Sequence, residues 1–195
     1  MRARLIYSKR GGACFVPHIA LAQIFSRSAS RAGLKLIMTQ GFSPRAKISF
    51  APELPAGVVA LAEVVDMYLD ENLCGDLIQR MNAALPEGFC ISNVIFPAED
   101  SPSLGKLCTH AEYLVRSAVL SLSNIQQHFN NPSIIKSDFV DDWFRFIIKD
   151  PAQNPIGSFI KPLIKDNLID GWQCINIVRV AIGSYDSVLD MVKMS

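Results

Sequence analysis

The sequence predicts an α+β fold on three observations. Half of the 195 residues are hydrophobic, which is enough for a substantial buried core. Hydrophobic residues recur with the periods of strands and helices in the order β-α-β-β-α-β, and this order then repeats along the chain. Because β-α-β-β-α-β is the split βαβ arrangement, we expect two tandem ferredoxin-like domains with antiparallel sheets.

The first half of the chain contains the six elements of one such unit. Residues 2–8 alternate as a strand does, with Ala3, Leu5 and Tyr7 on one side. Residues 19–32 place a hydrophobic stripe on one helical face, and a glycine ends that helix. We expect the four strands to form one antiparallel sheet, with both helices on one face and the first and third strands side by side in the middle. The remaining elements are predicted at residues 47–50, 63–69, 73–85 and 89–96.

Residues 97–105 separate the two units. This segment is polar, contains prolines and shows no hydrophobic period, so we predict a linker between domains 1–97 and 106–195. The tail, residues 184–194, is predicted to add a last helix. The other elements of the second unit are predicted at residues 113–118, 120–129, 133–137, 143–149, 158–165 and 174–182.

Composition and motifs exclude several classes of protein. No run approaches the roughly 20 apolar residues that cross a bilayer, and the first residues lack a signal-peptide pattern, so we expect a cytoplasmic protein without a membrane partner. The sequence contains no phosphate-binding glycine loop, dinucleotide fingerprint, zinc-protease motif or serine-hydrolase motif. The cysteines form no C-x-x-C pair, and we expect them to be reduced and mostly buried, with no metal and no other cofactor. They are Cys14, Cys74, Cys90, Cys108 and Cys174.

The charges are unevenly distributed along the sequence. The first 52 residues contain nine lysines and arginines and no acid, and the first acid is Glu53. The other 143 residues carry ten bases and 18 acids. This asymmetry suggests that the first half meets a polyanion, an acidic protein partner or a membrane surface. The nine early cations are Arg2, Arg4, Lys9, Arg10, Arg27, Arg31, Lys35, Arg45 and Lys47.

Four of these cations lie where RNA binding is plausible. Arg27 and Arg31 are four residues apart on the predicted first helix and share a face, although a solvated outer face would look the same. The loop that follows combines Phe42 and a glycine with Arg45 and Lys47. Cations bind phosphates, a ring stacks on a base and glycine permits close approach, so this loop has the groups that grip a nucleic-acid strand. Packing of Phe42 in the core under the loop is the structural alternative.

His18 stands at the predicted start of the first helix. A histidine there can donate to a ligand, act as an acid or base, or bond main-chain groups at the helix end. The structural role is the commoner one for a lone histidine. An acid–base role requires a partner, for which the candidates are Glu63 and Asp66 on another strand. The sequence assigns no catalytic pair.

Several ordered segments carry a resemblance to a known family. They are residues 15–18, 30–34, 41–50 and 54–57, together with Glu63 and Asp66. In this order they resemble the radical SAM-linked protein family, a bacterial domain of unknown function (DUF2344), from residue 2 to about residue 96. The positions that match the motifs of the family are His18, Gly41, Phe42, Pro44 and Lys47.

The resemblance implies work beside a separate enzyme. Members are fused to, or encoded near, a cobalamin-type radical SAM enzyme, often close to ribonuclease E/G and ribosomal proteins, which implies a role with RNA or ribosome components. The chain lacks the C-x-x-x-C-x-x-C of a radical cluster, so the resemblance implies the stand-alone partner form. Pro17 replaces a serine of the family, Ser43 an asparagine and Arg45 a second histidine. The lost histidine weakens an enzymatic role, whereas Arg45 adds a permanent cation suited to phosphate.

These observations favour a non-catalytic RNA-binding or substrate-presenting accessory protein that works with a radical SAM partner. In this interpretation the two helix arginines, Arg45 and Lys47 contact phosphates, Phe42 stacks on a base and His18 orders the helix start. One alternative is an RNA-processing or RNA-modifying enzyme that uses His18. Another is a protein adaptor whose basic face docks on an acidic partner. No catalytic residue, metal ligand or oligomeric state is predicted.

Overall fold

The computed structural model describes residues 1–70 and 76–194. Within these ranges the strands are β1 (Arg2–Lys9), β2 (Ile48–Phe50), β3 (Val59–Tyr68), β4 (Phe89–Ile95), β5 (His110–Ser117), β6 (Ile134–Val140), β7 (Trp143–Lys149), β8 (Ile175–Asp186) and β9 (Met191–Lys193). The helices are α1 (His18–Arg31), α2 (Leu77–Ala84), α3 (Leu104–Leu107), α4 (Leu122–His128) and α5 (Gly157–Lys165). The start of the second predicted helix, residues 73–75, lies outside the described residues. None of the described helices has the length and apolar character needed to cross a membrane.

The strands of both halves form a single sheet. Its order is β4-β1-β3-β8-β5-β7-β6, with β2 paired to β3 and β9 paired to β8. Neighbouring strands are antiparallel except β3 and β8, which pair in parallel through Val59 with Val178 and Ala60 with Arg179. The predicted mixture of helices and mostly antiparallel strands is therefore confirmed. The parallel pair, which joins the halves, departs from the purely antiparallel sheets that we expected.

The junction forms because β3 begins earlier than predicted. The sequence placed its start at Glu63, since prolines and Gly57 precede it. Gly57 adopts a φ of 89°, which favours glycine and turns the chain directly into the strand. The strand therefore starts at Val59, and its first two residues are the ones that pair with β8.

Helices α1 and α2 pack with the first strands in one core. The predicted inward residues of β1, Ala3, Leu5 and Tyr7, are all buried and share this core with Leu21 and Phe25 of α1. The rings of Tyr7 and Phe25 meet edge to face with centroids 5.0 Å apart. Strand β1 lies between β3 and β4, so the first and third strands of this half are adjacent, as expected.

A second core crosses the junction between the halves. Its centre is aromatic, with the ring of Phe146 5.4 Å from Tyr113 and 5.1 Å from Phe129 between centroids. The first half supplies part of this core. Its contributions are Ala51, Leu54, Val58, Ala60 and Val64. The halves are therefore joined by packing as well as by strand pairing.

The predicted linker is held against β1. Arg2 donates to the carbonyl oxygens of Ala98 at 3.0 Å and Ser101 at 2.9 Å. Arg4 donates to the carbonyl oxygen of Pro102 at 3.1 Å. Helix α3 follows, and its first residue is buried. This segment therefore covers the second face of β1 at Arg2 and Arg4.

The helix predicted for residues 184–194 is wrong. Strand β8 continues to Asp186, and β9 returns antiparallel to it. The Asp186 carboxylate accepts hydrogen bonds from the N–H groups of Val188 at 3.0 Å and Leu189 at 3.2 Å, which is the geometry of an aspartate-closed turn. Asp190 then adopts a φ of 53°. These local turn bonds compete successfully with the helix.

Candidate functional site

The loop singled out from the sequence forms a short two-stranded arm, here called the basic arm (residues 36–48). Two main-chain bonds fasten its base to Tyr68 of β3, and a third joins the two sides of the arm. The N–H of Ile37 donates to the Tyr68 oxygen at 2.8 Å, the N–H of Lys47 to the Ile37 oxygen at 2.8 Å, and the N–H of Tyr68 to the Lys47 oxygen at 3.2 Å. Both sides of the arm are thus tied to the sheet, which fixes the direction in which the arm leaves the domain.

Phe42 lies at the tip of the basic arm. The tip is closed by two bonds, from the N–H of Thr39 to the Arg45 oxygen at 2.7 Å and from the N–H of Arg45 to Thr39 Oγ1 at 3.0 Å. Gly41 turns the chain with a φ of 127°. The Phe42 side chain is fully exposed, so the alternative that placed it in the core is wrong.

A cavity of about 600 Å³ lies at the base of the basic arm. The ammonium of Lys47 stands 4.2 Å from the centroid of the Tyr68 ring, a cation–π contact. Lys47 and Arg2 bring two positive charges to the cavity and Glu99 one negative charge. Its volume is in the range of small-ligand sites. The lining residues are Met1, Arg2, Ile37, Lys47, Tyr68, Pro97 and Glu99.

Helix α1 carries a second group of cations. Arg27 and Arg31 are exposed one turn apart, and neither forms an ion pair with an acid in the part of the chain that the structure describes. Arg80 of α2 donates to the carbonyl oxygen of Ala32 at 3.0 and 2.7 Å, at the C-terminal end of α1, where a cation is favourable. Sequence reasoning missed Arg80 because it lies 48 residues further along the chain. The predicted RNA-binding residues thus form two groups. Arg27 and Arg31 lie on α1, and the others, Phe42, Arg45 and Lys47, lie on the basic arm.

Three of the nine early cations serve the fold instead. Arg4 is buried and donates to both carboxylate oxygens of Asp66, at 2.8 and 3.0 Å. Lys9 is buried and donates to the Val16 oxygen at 3.3 Å, and burial lowers the pKa of Lys9. Arg2 holds the segment after β4. The exposed cations are the other six, Arg10, Arg27, Arg31, Lys35, Arg45 and Lys47.

His18 is the first residue of α1 and is half-buried. Its ring meets the Phe50 ring edge on, with centroids 5.6 Å apart. Burial lowers the pKa of His18, although the negative charges of Glu53 and Glu63 act against this. The candidate partners Glu63 and Asp66 are both bound to arginines. Among the described residues, no acid hydrogen-bonds to the His18 ring, so the arrangement shows no acid–base pair.

Arg179 was missed by the sequence analysis and is the main polar link between the halves. It is buried in β8, donates two hydrogen bonds to the Glu63 carboxylate of β3, and reaches the carbonyl oxygens of Pro52 at 3.1 Å and Glu53 at 3.4 Å. Burial acts to lower the pKa of Arg179, but the Glu63 carboxylate outweighs it and the pKa rises above its usual value. The sequence did carry one signal for this contact. Glu63 lies among apolar residues of β3, and a buried carboxylate requires a cation as its partner.

The described cysteines are unpaired, and no metal cluster is present among the described residues. Cys14 and Cys108 are buried, Cys174 is half-buried and Cys90 is exposed. Burial raises the pKa of Cys108 to about 12, so its thiol stays protonated. Cys74 lies outside the described residues. Within the described ranges, no three of the histidine, cysteine, aspartate and glutamate side chains converge as metal ligands.

Comparison with known proteins places the chain in a family without assigning an activity. No curated protein matches the sequence. The sequence profile described as an uncharacterized protein conserved in bacteria (DUF2344) matches residues 2–139. The match begins with β1 and reaches into β6, so it includes the basic arm, α1 and the junction strand β3. The chain therefore belongs to this uncharacterized bacterial family, DUF2344.

Proposed function

We propose that this protein is a non-catalytic RNA-binding accessory protein. The observation that carries the proposal is the basic arm, whose tip presents a fully exposed phenylalanine, Phe42, near the exposed Arg45, while Lys47 is exposed at the base of the arm. A large apolar ring at a loop tip gains nothing from the fold, whereas it can stack on an unpaired base. We assign Arg45 and Lys47, which follow Phe42 in the sequence, to phosphates of the same strand.

We propose that the α1 cations bind the same RNA strand. Arg27 and Arg31 share a face of the helix and repel each other, a cost that a bound phosphate backbone would remove. A flexible single strand can reach both the helix pair and the arm, since its backbone presents a phosphate at every nucleotide. We therefore favour single-stranded RNA as the ligand, with the helix arginines, Arg45 and Lys47 on phosphates and Phe42 on a base.

The enzyme alternative is less well supported by the geometry. An RNA-modifying enzyme that used His18 would need an acid to orient or share its proton. Glu63 and Asp66 are engaged by Arg179 and Arg4, and the ring of His18 packs on Phe50. We propose that His18 orders the start of α1. The adaptor alternative is distinguished from RNA binding by experiment.

The proposal also includes the domain organisation, the cellular location and the partner that were expected from the sequence. We propose that the halves are two ferredoxin-like units, in domains 1–97 and 106–195, fused through β3 and β8. The strand orders β4-β1-β3-β2 and β8-β5-β7-β6 support this, because each is the order of a βαββαβ sheet. We further propose that the protein acts in the cytoplasm with a separate radical SAM enzyme, to which it presents RNA or an RNA-bound substrate.

Binding to labelled RNA tests the proposed function. Fluorescence polarisation with a mixed-sequence single strand should show binding at about 50 mM salt, where even non-specific electrostatic binding is visible. A duplex of the same sequence should bind more weakly, because its bases are not free to stack on Phe42. Polyglutamate of similar charge should compete poorly. Absence of RNA binding at this salt concentration, or equal competition by polyglutamate, would contradict the proposal and favour the adaptor.

A further inference from the structure

Strand β6 has a free edge that carries apolar side chains. It is the last strand of the sheet, and β7 is its one strand neighbour in the described part of the chain. Ile135, Phe139 and Val140 are each more than two-fifths exposed. Natural proteins usually protect such an edge with charges, prolines or a covering segment, because its unpaired main-chain groups attract another strand.

The main-chain groups at the centre of β6 point away from the sheet. A two-residue turn, residues 141–142, joins β6 to β7, so the flanking residues Val140 and Trp143 form a hydrogen-bonded pair. Hydrogen-bonded and non-hydrogen-bonded pairs alternate along an antiparallel ladder. The N–H and C=O groups of Ser137 and Phe139 therefore face outward, where a further strand could bond to them.

The sequence of β6 is complementary to itself when it is read in the opposite direction. With Ser137 at the centre, an antiparallel copy places Lys136 opposite Asp138 on both sides of the centre. The next pair outward is Ile135 with Phe139, which brings two apolar side chains together. Opposite charges and apolar pairs directly across a ladder are both stabilising. One register therefore pairs the opposite charges, brings apolar side chains together and lets the outward main-chain groups of the two Ser137 residues bond to each other.

We propose that β6 is a homodimerisation strand, and that its partner is β6 of a second copy of this chain. The two strands pair antiparallel about a two-fold axis at Ser137, which joins the two sheets into one. A two-fold axis is the commonest symmetry of protein dimers and requires such a self-complementary patch. The proposal is independent of RNA binding, since β6 belongs to the second half and the basic arm to the first.

Contacts inside the chain hold the two charges in place for this pairing. Lys136 is paired with Asp190, and Asp138 with Arg145 at 3.1 Å. Each charge keeps its own partner and gains the opposite charge of the second copy, as in a surface ion-pair network. The ladder between β6 and β7 shifts register between Ile134 and Lys136 and is regular from Lys136 to Val140, a stretch that includes Ser137 and both charges.

Cysteine crosslinking tests the register. In a background with Cys74 and Cys90 changed to serine, Ser137→Cys places two thiols across the axis, where Cα atoms lie about 5.5 Å apart, within disulfide range. Val140→Cys is the matched control on the same strand, because its two copies would lie roughly 20 Å apart. Mild oxidation should crosslink the first variant and leave the second monomeric on a non-reducing gel. Equal crosslinking of both variants, or of neither, would overturn the proposal.

The mass in solution gives a second readout. Sedimentation equilibrium should report twice the chain mass of 21.5 kDa for the unmodified protein. Phe139→Lys introduces an edge lysine at an exposed position and should shift the protein to the monomer with an unchanged circular dichroism spectrum. A wild-type chain that stays monomeric up to its solubility limit would refute the dimer, whatever the RNA titration shows.

Discussion

Replacement of Arg27 and Arg31 together by alanine should halve the salt dependence of RNA binding. Four exposed cations, these two with Arg45 and Lys47, are assigned to phosphates. Each phosphate neutralised on a single strand contributes about −0.7 to the slope of log K against log salt, so the wild-type slope should be about −2.8. Loss of two contacts should leave about −1.4. Affinity should fall for all RNA sequences alike, because phosphate contacts carry no base information.

Polarisation of a labelled single strand, titrated between about 50 and 200 mM salt, measures this slope. The matched control is Lys161→Ala with Lys165→Ala, since these lysines are also exposed and four residues apart, on α5 in the second half. The control should keep the wild-type slope. If the arginine variant kept the full slope, Arg27 and Arg31 would not contact the RNA. If both double variants lowered the slope equally, the effect would not be specific to α1, and the assignment of these arginines to phosphates would be refuted.

Three further changes test the arm, the junction and the histidine. Phe42→Ala should weaken RNA binding by about 1–3 kcal/mol without a change of slope; Phe15→Ala, at another exposed ring, should have no effect, and a similar loss in both would refute stacking at the tip. Arg179→Ala leaves the buried Glu63 carboxylate unpaired and should cost roughly 3–5 kcal/mol in urea unfolding, whereas a loss below about 1 kcal/mol would show that Glu63 does not depend on Arg179. Because burial lowers the pKa of His18 in the folded state, the unfolded chain binds its proton more tightly, so stability should fall as the pH drops through about 6.5. His18→Gln should flatten that fall in urea unfolding at several pH values, and an unchanged profile would argue against a lowered pKa of His18 in the folded state.

Local patterns in the sequence predict most elements of this fold. The alternation of Ala3, Leu5 and Tyr7 and the stripe on α1 follow from strand and helix periods, and these residues are buried as expected. The start of β3 was less accessible to this reasoning, because residues 59–62 are all apolar and show no alternation that separates strand from loop. The pairing of β3 with β8 depends on residues far apart in sequence, for which local periodicity holds no information.

The site was predicted in part for a similar reason. A glycine- and proline-containing loop usually lies at the surface, which predicts exposed Arg45 and Lys47 but left packing of Phe42 in the core as an alternative. Arg2 and Arg4 looked equivalent to them in the charge count. They are held in the interior because the segment after β4 folds over β1. The residues next to Arg2 and Arg4 in the sequence do not predict this contact, since the covering segment lies almost 100 positions away.

The link between Arg179 and Glu63 also affects the order in which the protein matures on the ribosome. The two residues are 116 positions apart, so Glu63 is synthesised long before the guanidinium that neutralises it. At about 5–20 residues per second, the delay is roughly 6–23 s. Through that interval the nascent first half cannot complete its junction face, and Ala51, Leu54 and Val64 lack the core that later covers them. Apolar surface that is exposed for such an interval makes an incompletely folded chain prone to aggregation.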